Sequence, residues 1–222
     1  LHLRRYRMQS KVILSATALL IVLPAILFFL TDFAALPTGE RVLASLFQAV
    51  TPRTAGYNTA DLTKMGDTSQ AVTILLMLTG GAPGSTAGGI KVTTLAVLVA
   101  NAAAVFHRRE EPQLFGRRLE NSAVKNAAAI LLLYLGLTFA GAAVISAAEG
   151  LPLGVCLYET ASAAGTVGLT LGLTPQLGTL SQAVLILLMF FGRVGGLTLI
   201  YAAFSGHDLT CARCPKEMIT VG

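Results

Sequence analysis

The chain has 222 residues, of which 54% are hydrophobic and 12% charged, with a mean hydropathy of +0.71 and a formal net charge of +5. That balance is too apolar for an ordinary water-soluble domain and typical of an integral membrane protein, and the helix-length apolar runs make the expected fold class an all-α membrane protein. With no Trp and no basic patch interleaved with aromatics, the positive charge reads as membrane topology, and nucleic acid is not expected as a partner.

Residues 1–11 carry Arg4, Arg5, Arg7 and Lys11 ahead of an apolar run over 12–31. The run is a full span in length, at ~20 residues for a ~30 Å hydrocarbon core, and lacks the small-residue cleavage site of a secretory signal. A polar connection follows, ending at Pro37-Thr38-Gly39. Residues 40–50 then read as a helix too short to span, with Thr38 as its cap, Glu40 at its positive end and Thr51-Pro52 as its stop. Directly after it comes Thr54-Ala55-Gly56-Tyr57-Asn58.

The apolar stretch 70–106 is too long for one plain span and is interrupted by Gly80-Gly81-Ala82-Pro83-Gly84-Ser85-Thr86-Ala87-Gly88-Gly89. A basic loop leads to a span over 123–148, a short helix from Pro152 to about Ala163, the string Gly165-Thr166-Val167-Gly168-Leu169, and a span over 182–206. A shift of 112 residues lays Thr54-Ala55-Gly56-Tyr57 on Thr166-Val167-Gly168-Leu169, and Ile74 to Met77, Gly80 and Gly84 on Ile186 to Met189, Gly192 and Gly196. The organisation is therefore a segment 1–11, unit one over 12–106, a loop 107–121, unit two over 122–206 and a tail 207–222. Each unit reads as span, re-entrant pore helix, filter strand, span.

Basic residues gather at both termini and in the middle loop (Arg108, Arg109, Arg117, Arg118, Lys125), whereas the connections 32–69 and 149–181 hold Arg41, Arg53 and Lys64 against six acidic residues. Both termini and the middle loop are accordingly expected in the cytoplasm. Cys211 and Cys214 then fall in a reducing compartment apart from Cys156, so no disulfide framework is implied. His207, Cys211 and Cys214 lack an obvious fourth metal ligand nearby, and read as a lone His beside reduced thiols.

The repeat points to an ion pore. A half-span helix aims its negative C-terminal end at the membrane interior, and irregular backbone at that depth is tolerated where it lines a watery cavity. The expected ion-binding residues are Thr54, Ala55, Gly56, Tyr57 and Asn58 with Thr166, Val167, Gly168 and Leu169, their carbonyls replacing a cation's hydration shell. Glu159 is expected to brace the second strand. The glycine run reads as a packing motif, a phosphate loop or a flexible intramembrane segment; the Walker spacing is missing, and a movable plug is the favoured reading. Its gating residues are Gly80, Gly81, Gly84, Ser85, Thr86, Gly88 and Gly89. Arg193 joins them either as a positive barrier or as a brace bound to carbonyls, while Lys91 is expected to snorkel or bind loop carbonyls. No catalytic cluster lies on the spans, so the chain is not read as an enzyme, and it carries no cofactor beyond the transported ion.

Through Phe47 to Thr59, Gly80 to Thr94, Ala164 to Gly172, and Gly192-Arg193-Val194-Gly195, the chain resembles the Trk/Ktr/HKT superfamily of potassium transporters, most closely the Ktr-type membrane subunit. The resemblance implies potassium uptake across the plasma membrane, with sodium as a coupling candidate, and places this chain as the third and fourth of four pore units. It further implies a homodimer with a cytosolic nucleotide-binding regulatory subunit. The expected partners are membrane lipid and the missing N-terminal units or a second chain; the competing reading is a nonconducting assembly subunit or fragment, inactive alone. Tyr57 stands where the family usually has Phe and Gly196 where Pro is usual, and the tail departs from the commonly basic and aromatic stretch.

Overall fold

A computed structural model of the chain describes residues 6–109, 111–195 and 198. The end of the last expected span, Gly196, His207, Cys211, Cys214 and the tail lie outside the described residues. Among the described residues seven α-helices follow in order: α1 (Met8–Leu30), α2 (Thr38–Val50), α3 (Asp67–Leu78), α4 (Val92–Phe106), α5 (Asn121–Glu149), α6 (Leu153–Gly165) and α7 (Thr179–Val194). A short hairpin in the middle loop, also among the described residues, pairs β1 (Gln113–Leu114) with β2 (Arg117–Arg118), which periodicity cannot signal at that length.

Helices α1 and α5, of 23 and 29 residues, are long and apolar enough to cross a membrane. Helix α1 exposes Leu14, Leu19, Val22, Leu23, Ile26 and Leu30, a surface unfavourable in water and ordinary against hydrocarbon. Helix α2 turns back along α1, fastened where Arg41 Nε donates to the Phe29 carbonyl at 2.7 Å with its guanidinium 3.9 Å from the Phe29 ring centroid. Thr38 does not cap α2. It is the first helical residue, Pro37 occupies the cap position, and no side-chain cap bond forms.

Helices α3 and α7 both begin after a glycine, Gly66 and Gly178, which offers no capping side chain. In each case a carboxylate from the preceding long helix or its exit supplies the cap. Asp32 accepts from Gly66 N at 2.9 Å, Ser69 Oγ at 2.5 Å and Thr31 Oγ1 at 2.6 Å. Glu149 accepts from Gly178 N at 2.8 Å and Ser181 Oγ at 2.6 Å. A negative group here satisfies orphan N–H donors and meets the positive helix end. Burial pushes the Asp32 carboxyl up, but the bonds from Ser69, Thr31 and Gly66 together outweigh it and hold it below its ordinary value.

The two units meet where α5 packs against α4 and where α6 packs against α3. Met77, Leu78, Tyr158, Ala161 and Val167 share one buried cluster there with Ala25, Phe28 and Ala49 from unit one. Helices α5, α6 and α7 enclose a second, around Ala142, Ile145, Cys156, Leu185 and Leu188.

Candidate functional site

The two Thr-x-Gly segments leave the C-terminal ends of α2 and α6 with the same backbone signature. Thr54 and Gly56 have φ of 69° and 75°, and Thr166 and Gly168 have φ of 55° and 90°, with Ala55 and Val167 between them on the ordinary side. A β-branched threonine in left-handed backbone is strained, and here it occurs twice, at matching positions. The N–H groups explain what the alternation achieves. Those of Ala55 and Gly56 donate to the Thr51 carbonyl at 3.2 and 3.1 Å; that of Val167 donates to the Ser162 carbonyl at 2.9 Å and that of Gly168 to Ser162 Oγ at 3.2 Å. All four point back into the end of the short helix. No hydrogen bond among the described residues ends on the carbonyls of Thr54, Ala55, Gly56, Thr166, Val167, Gly168 or Leu169. Tyr57 differs, because its carbonyl is turned back to accept from Thr51 Oγ1. Asn58 Oδ1 is used locally, accepting from Ala60 N at 3.2 Å.

The segments approach each other closely. A Cβ on Gly56 would stand 2.1 Å from the Val167 carbonyl oxygen, and one on Gly165 would stand 2.3 Å from that of Met77. Glycine at 56 is thus required twice, by φ and by space. Glu159, buried on α6, accepts from Thr170 Oγ1 at 2.6 Å, Leu171 N at 3.0 Å and Thr174 Oγ1 at 2.7 Å, which pins the chain leaving the second segment. This is the expected bracing role.

The glycine run forms a loop between α3 and α4 with a closed neck. Gly80 N donates to the Ile90 carbonyl at 2.8 Å, Ile90 N to that of Leu78 at 2.9 Å and Val92 N to that of Gly81 at 3.1 Å. Residues 88–90 are buried, while Pro83, Gly84, Ser85 and Thr86 at the tip are exposed. Gly88 lies against Thr166: a Cβ there would come within 2.2 Å of Thr166 Oγ1. The loop is therefore seated at the base of the second segment. Arg193 Nη1 donates to the Thr86 carbonyl at 2.5 Å, across from α7, and Lys91 Nζ to that of Ala87. Arg53, counted in the sequence only by its charge within the 32–69 connection, is half-buried, with Nη2 donating to the Gly80 carbonyl at 3.2 Å. Its place directly before the first Thr-x-Gly, behind the helix-stopping Thr51-Pro52, was the available signal.

A groove of about 580 Å³ runs beside the second segment, lined among others by Ser162, Val167, Leu185, Met189 and Arg193. Among the described residues no cluster of His, Cys, Asp or Glu could hold a metal ion.

Long apolar helices, paired strained segments with unbonded carbonyls and a loop held by arginine and lysine side chains define a class. Residues 6–208 match the TrkH family, described as cation transport protein, and the chain belongs to that family. It is 37% identical over 99% of its length to the potassium/sodium uptake protein NtpJ of Enterococcus hirae, covering 51% of that protein. It is 34% identical over 99% of its length to the Ktr system potassium uptake protein B of Bacillus subtilis, covering 50% of it. The fold is shared with the crystal structure of the potassium transporter TrkH from Vibrio parahaemolyticus, with a TM-score of 0.71 at 23% identity over 85% of this chain and 43% of that one. The chain spans about half the length of the curated relatives it matches.

Proposed function

We propose that this chain supplies half of a cation-selective pore for potassium uptake, with sodium as a coupling candidate, in a plasma-membrane protein whose termini and 107–121 loop face the cytoplasm. The carrying observation is the shared direction of the four N–H groups at 55, 56, 167 and 168, which leaves the carbonyls of Thr54, Ala55, Gly56, Thr166, Val167, Gly168 and Leu169 to line an ion path. The negative ends of α2 and α6 face the same place and favour a dehydrated cation. In this reading α2 and α6 are pore helices, the segments after them are re-entrant filter strands, and the 80–89 loop seated on Thr166 and held by Arg193 is the gate. Tyr57 and Asn58 contribute less than their neighbours, since the Tyr57 carbonyl and the Asn58 amide are already bonded within the connection.

The half-pore reading has its own support. At the 112-residue shift, Tyr158 and Ser162 of α6, 1% and 4% exposed, correspond to Leu46 and Val50 of α2, 42% and 44% exposed. Likewise Met77 of α3 at 0% corresponds to Met189 of α7 at 48%. The α3–α6 packing between the units is made and its two counterparts stand open, the α7 side next to the groove. Inactivity of the isolated chain follows. The resemblance adds a homodimer and a nucleotide-binding regulatory subunit as further proposals.

The test is uptake of potassium by potassium-limited cells lacking their own transporters. Rescue is expected from the full-length transporter containing this chain, loss of rescue or of selectivity over sodium from its Gly168→Ser variant, and no rescue from the 222-residue chain alone. Unchanged selectivity in Gly168→Ser would sink the filter assignment.

A further inference from the structure

We propose that Arg53 is a positioning residue that clamps the neck of the 80–91 loop to the base of the first filter strand, so that the loop moves at its tip about a fixed neck. The proposal rests on the gate reading above. Arg53 lies at a fixed place: its N–H donates to the Val50 carbonyl at 3.1 Å, and Thr51 and Pro52 before it are buried. The Gly80 peptide it reaches is held from both sides, its N–H by the Ile90 carbonyl at 2.8 Å and its carbonyl by Arg53 Nη2 at 3.2 Å. Nothing larger than glycine fits there, because a Cβ on Gly80 would stand 1.9 Å from the Gly88 carbonyl oxygen.

Among the described residues no carboxylate pairs with Arg53, and its buried Nε has no partner. A half-buried cation held by one neutral carbonyl is costly, so its presence calls for a purpose beyond packing. Comparison of the units supplies one. The 112-residue shift places Gly192 on Gly80, and in unit two that carbonyl accepts from the neutral Tyr134 hydroxyl at 3.3 Å. The same shift places Gly165 on Arg53, packed on the Met77 carbonyl. Helix α7 continues unbroken past Gly192 to Val194, whereas α3 ends at Leu78 and the chain leaves as a loop. The cationic clamp therefore occurs in the unit with the break, where a charge-assisted bond stabilises backbone that no helix holds. Arg53 and Arg193 divide the loop: one holds its buried neck, the other its exposed tip.

The experiment uses the full-length transporter with native cysteines replaced and single reporters introduced, Ile90→Cys in the neck and Ser85→Cys at the tip. Labelling by a charged methanethiosulfonate is measured in proteoliposomes alongside rubidium flux. Arg53→Met should raise Ile90→Cys labelling about tenfold, the equivalent of losing one charge-assisted hydrogen bond. Arg53→Gln, which retains an N–H donor, should restore most of the protection, and Arg193→Met should leave Ile90→Cys protected, with Ser85→Cys at the exposed tip labelled in every variant as the positive control. Ile90→Cys labelling unchanged by Arg53→Met, or the same reporter exposed by both arginine variants, overturns the clamp. If Arg53→Met does not fold, Arg53→Gln decides: neck protection supports the clamp, and full neck exposure overturns it. Neck exposure with unaltered flux would keep the clamp and remove the gate reading.

Discussion

The two units share a backbone and differ in how it is supported. In unit one the segment after α2 is held by Thr51, through its carbonyl and its hydroxyl, and the following helix is broken by a loop. In unit two the segment after α6 is held by Ser162, the chain beyond it by Glu159, and α7 runs on to Arg193. The strained threonine and the left-handed glycine are common to both, so they belong to what every copy must do. The side chains around them are particular, and belong to what each copy does alone.

The sharpest way to break the comparison is substitution of the paired glycines. Gly56→Ala and Gly168→Ala both place a side chain in left-handed backbone, at about 1–2 kcal/mol each. Only at Gly56 does the new Cβ also meet the Val167 carbonyl, so Gly56→Ala should abolish uptake by the full-length transporter and lower its yield. Gly168→Ala, with open space around it, should leave a folded protein of reduced potassium-to-sodium selectivity. Equal effects on yield and flux would show that the model of unequal crowding is wrong.

Next in size is the brace. Glu159→Ala removes the acceptor for Thr170, Leu171 and Thr174 and should cost about 2–3 kcal/mol in unfolding of the detergent-solubilised protein. Phe47→Ala, at the matching position of unit one, should cost under about 1 kcal/mol in the 222-residue chain, because that face stands open there. A large cost at Phe47 would mean that α2 is not the open edge.

Arg193→Ala comes third. If the bond to the Thr86 carbonyl latches the loop, rubidium flux through the full transporter should rise several-fold with yield unchanged. Loss of yield with no gain in flux would make Arg193 a structural brace.

The smallest effect concerns the Asp32 cap. With its carboxyl held below the ordinary value by the folded chain, its contribution to stability is complete above the ordinary carboxylate range and is lost as the pH falls through the lowered value. Asp32→Asn should lower the melting temperature by a few degrees at neutral pH and reduce its acid dependence in that window. An unchanged acid slope would assign the dependence to other carboxylates.

Much of this was legible from spacing. Two copies at one shift located both short helices, both Thr-x-Gly segments and the break in the second span, because a glycine pattern constrains backbone directly. The supports were harder to see, since they join residues far apart in sequence: Asp32 to Ser69, Glu149 to Ser181, Arg193 to Thr86. Even so, Gly66 and Ser69 match Gly178 and Ser181 at the same shift, a signal for the carboxylate caps that lay unread. Thr38 looked like a cap and is not one, for Pro37 already sets the entry to α2. The Arg53 contact is a distant support of the same kind, its partner carbonyl on Gly80 lying 27 residues along the chain.

The break between α3 and α4 also bears on how the chain enters its bilayer. At 12 and 15 residues, each helix is shorter than the ~20 that a hydrocarbon core requires, and between them lies backbone that lipid cannot solvate. Neither half is a self-sufficient insertion signal. The segment gains its place from the neck bonds, from Arg53 and from Thr166, so its insertion belongs to tertiary folding and should lag behind that of α1 and α5 during biogenesis.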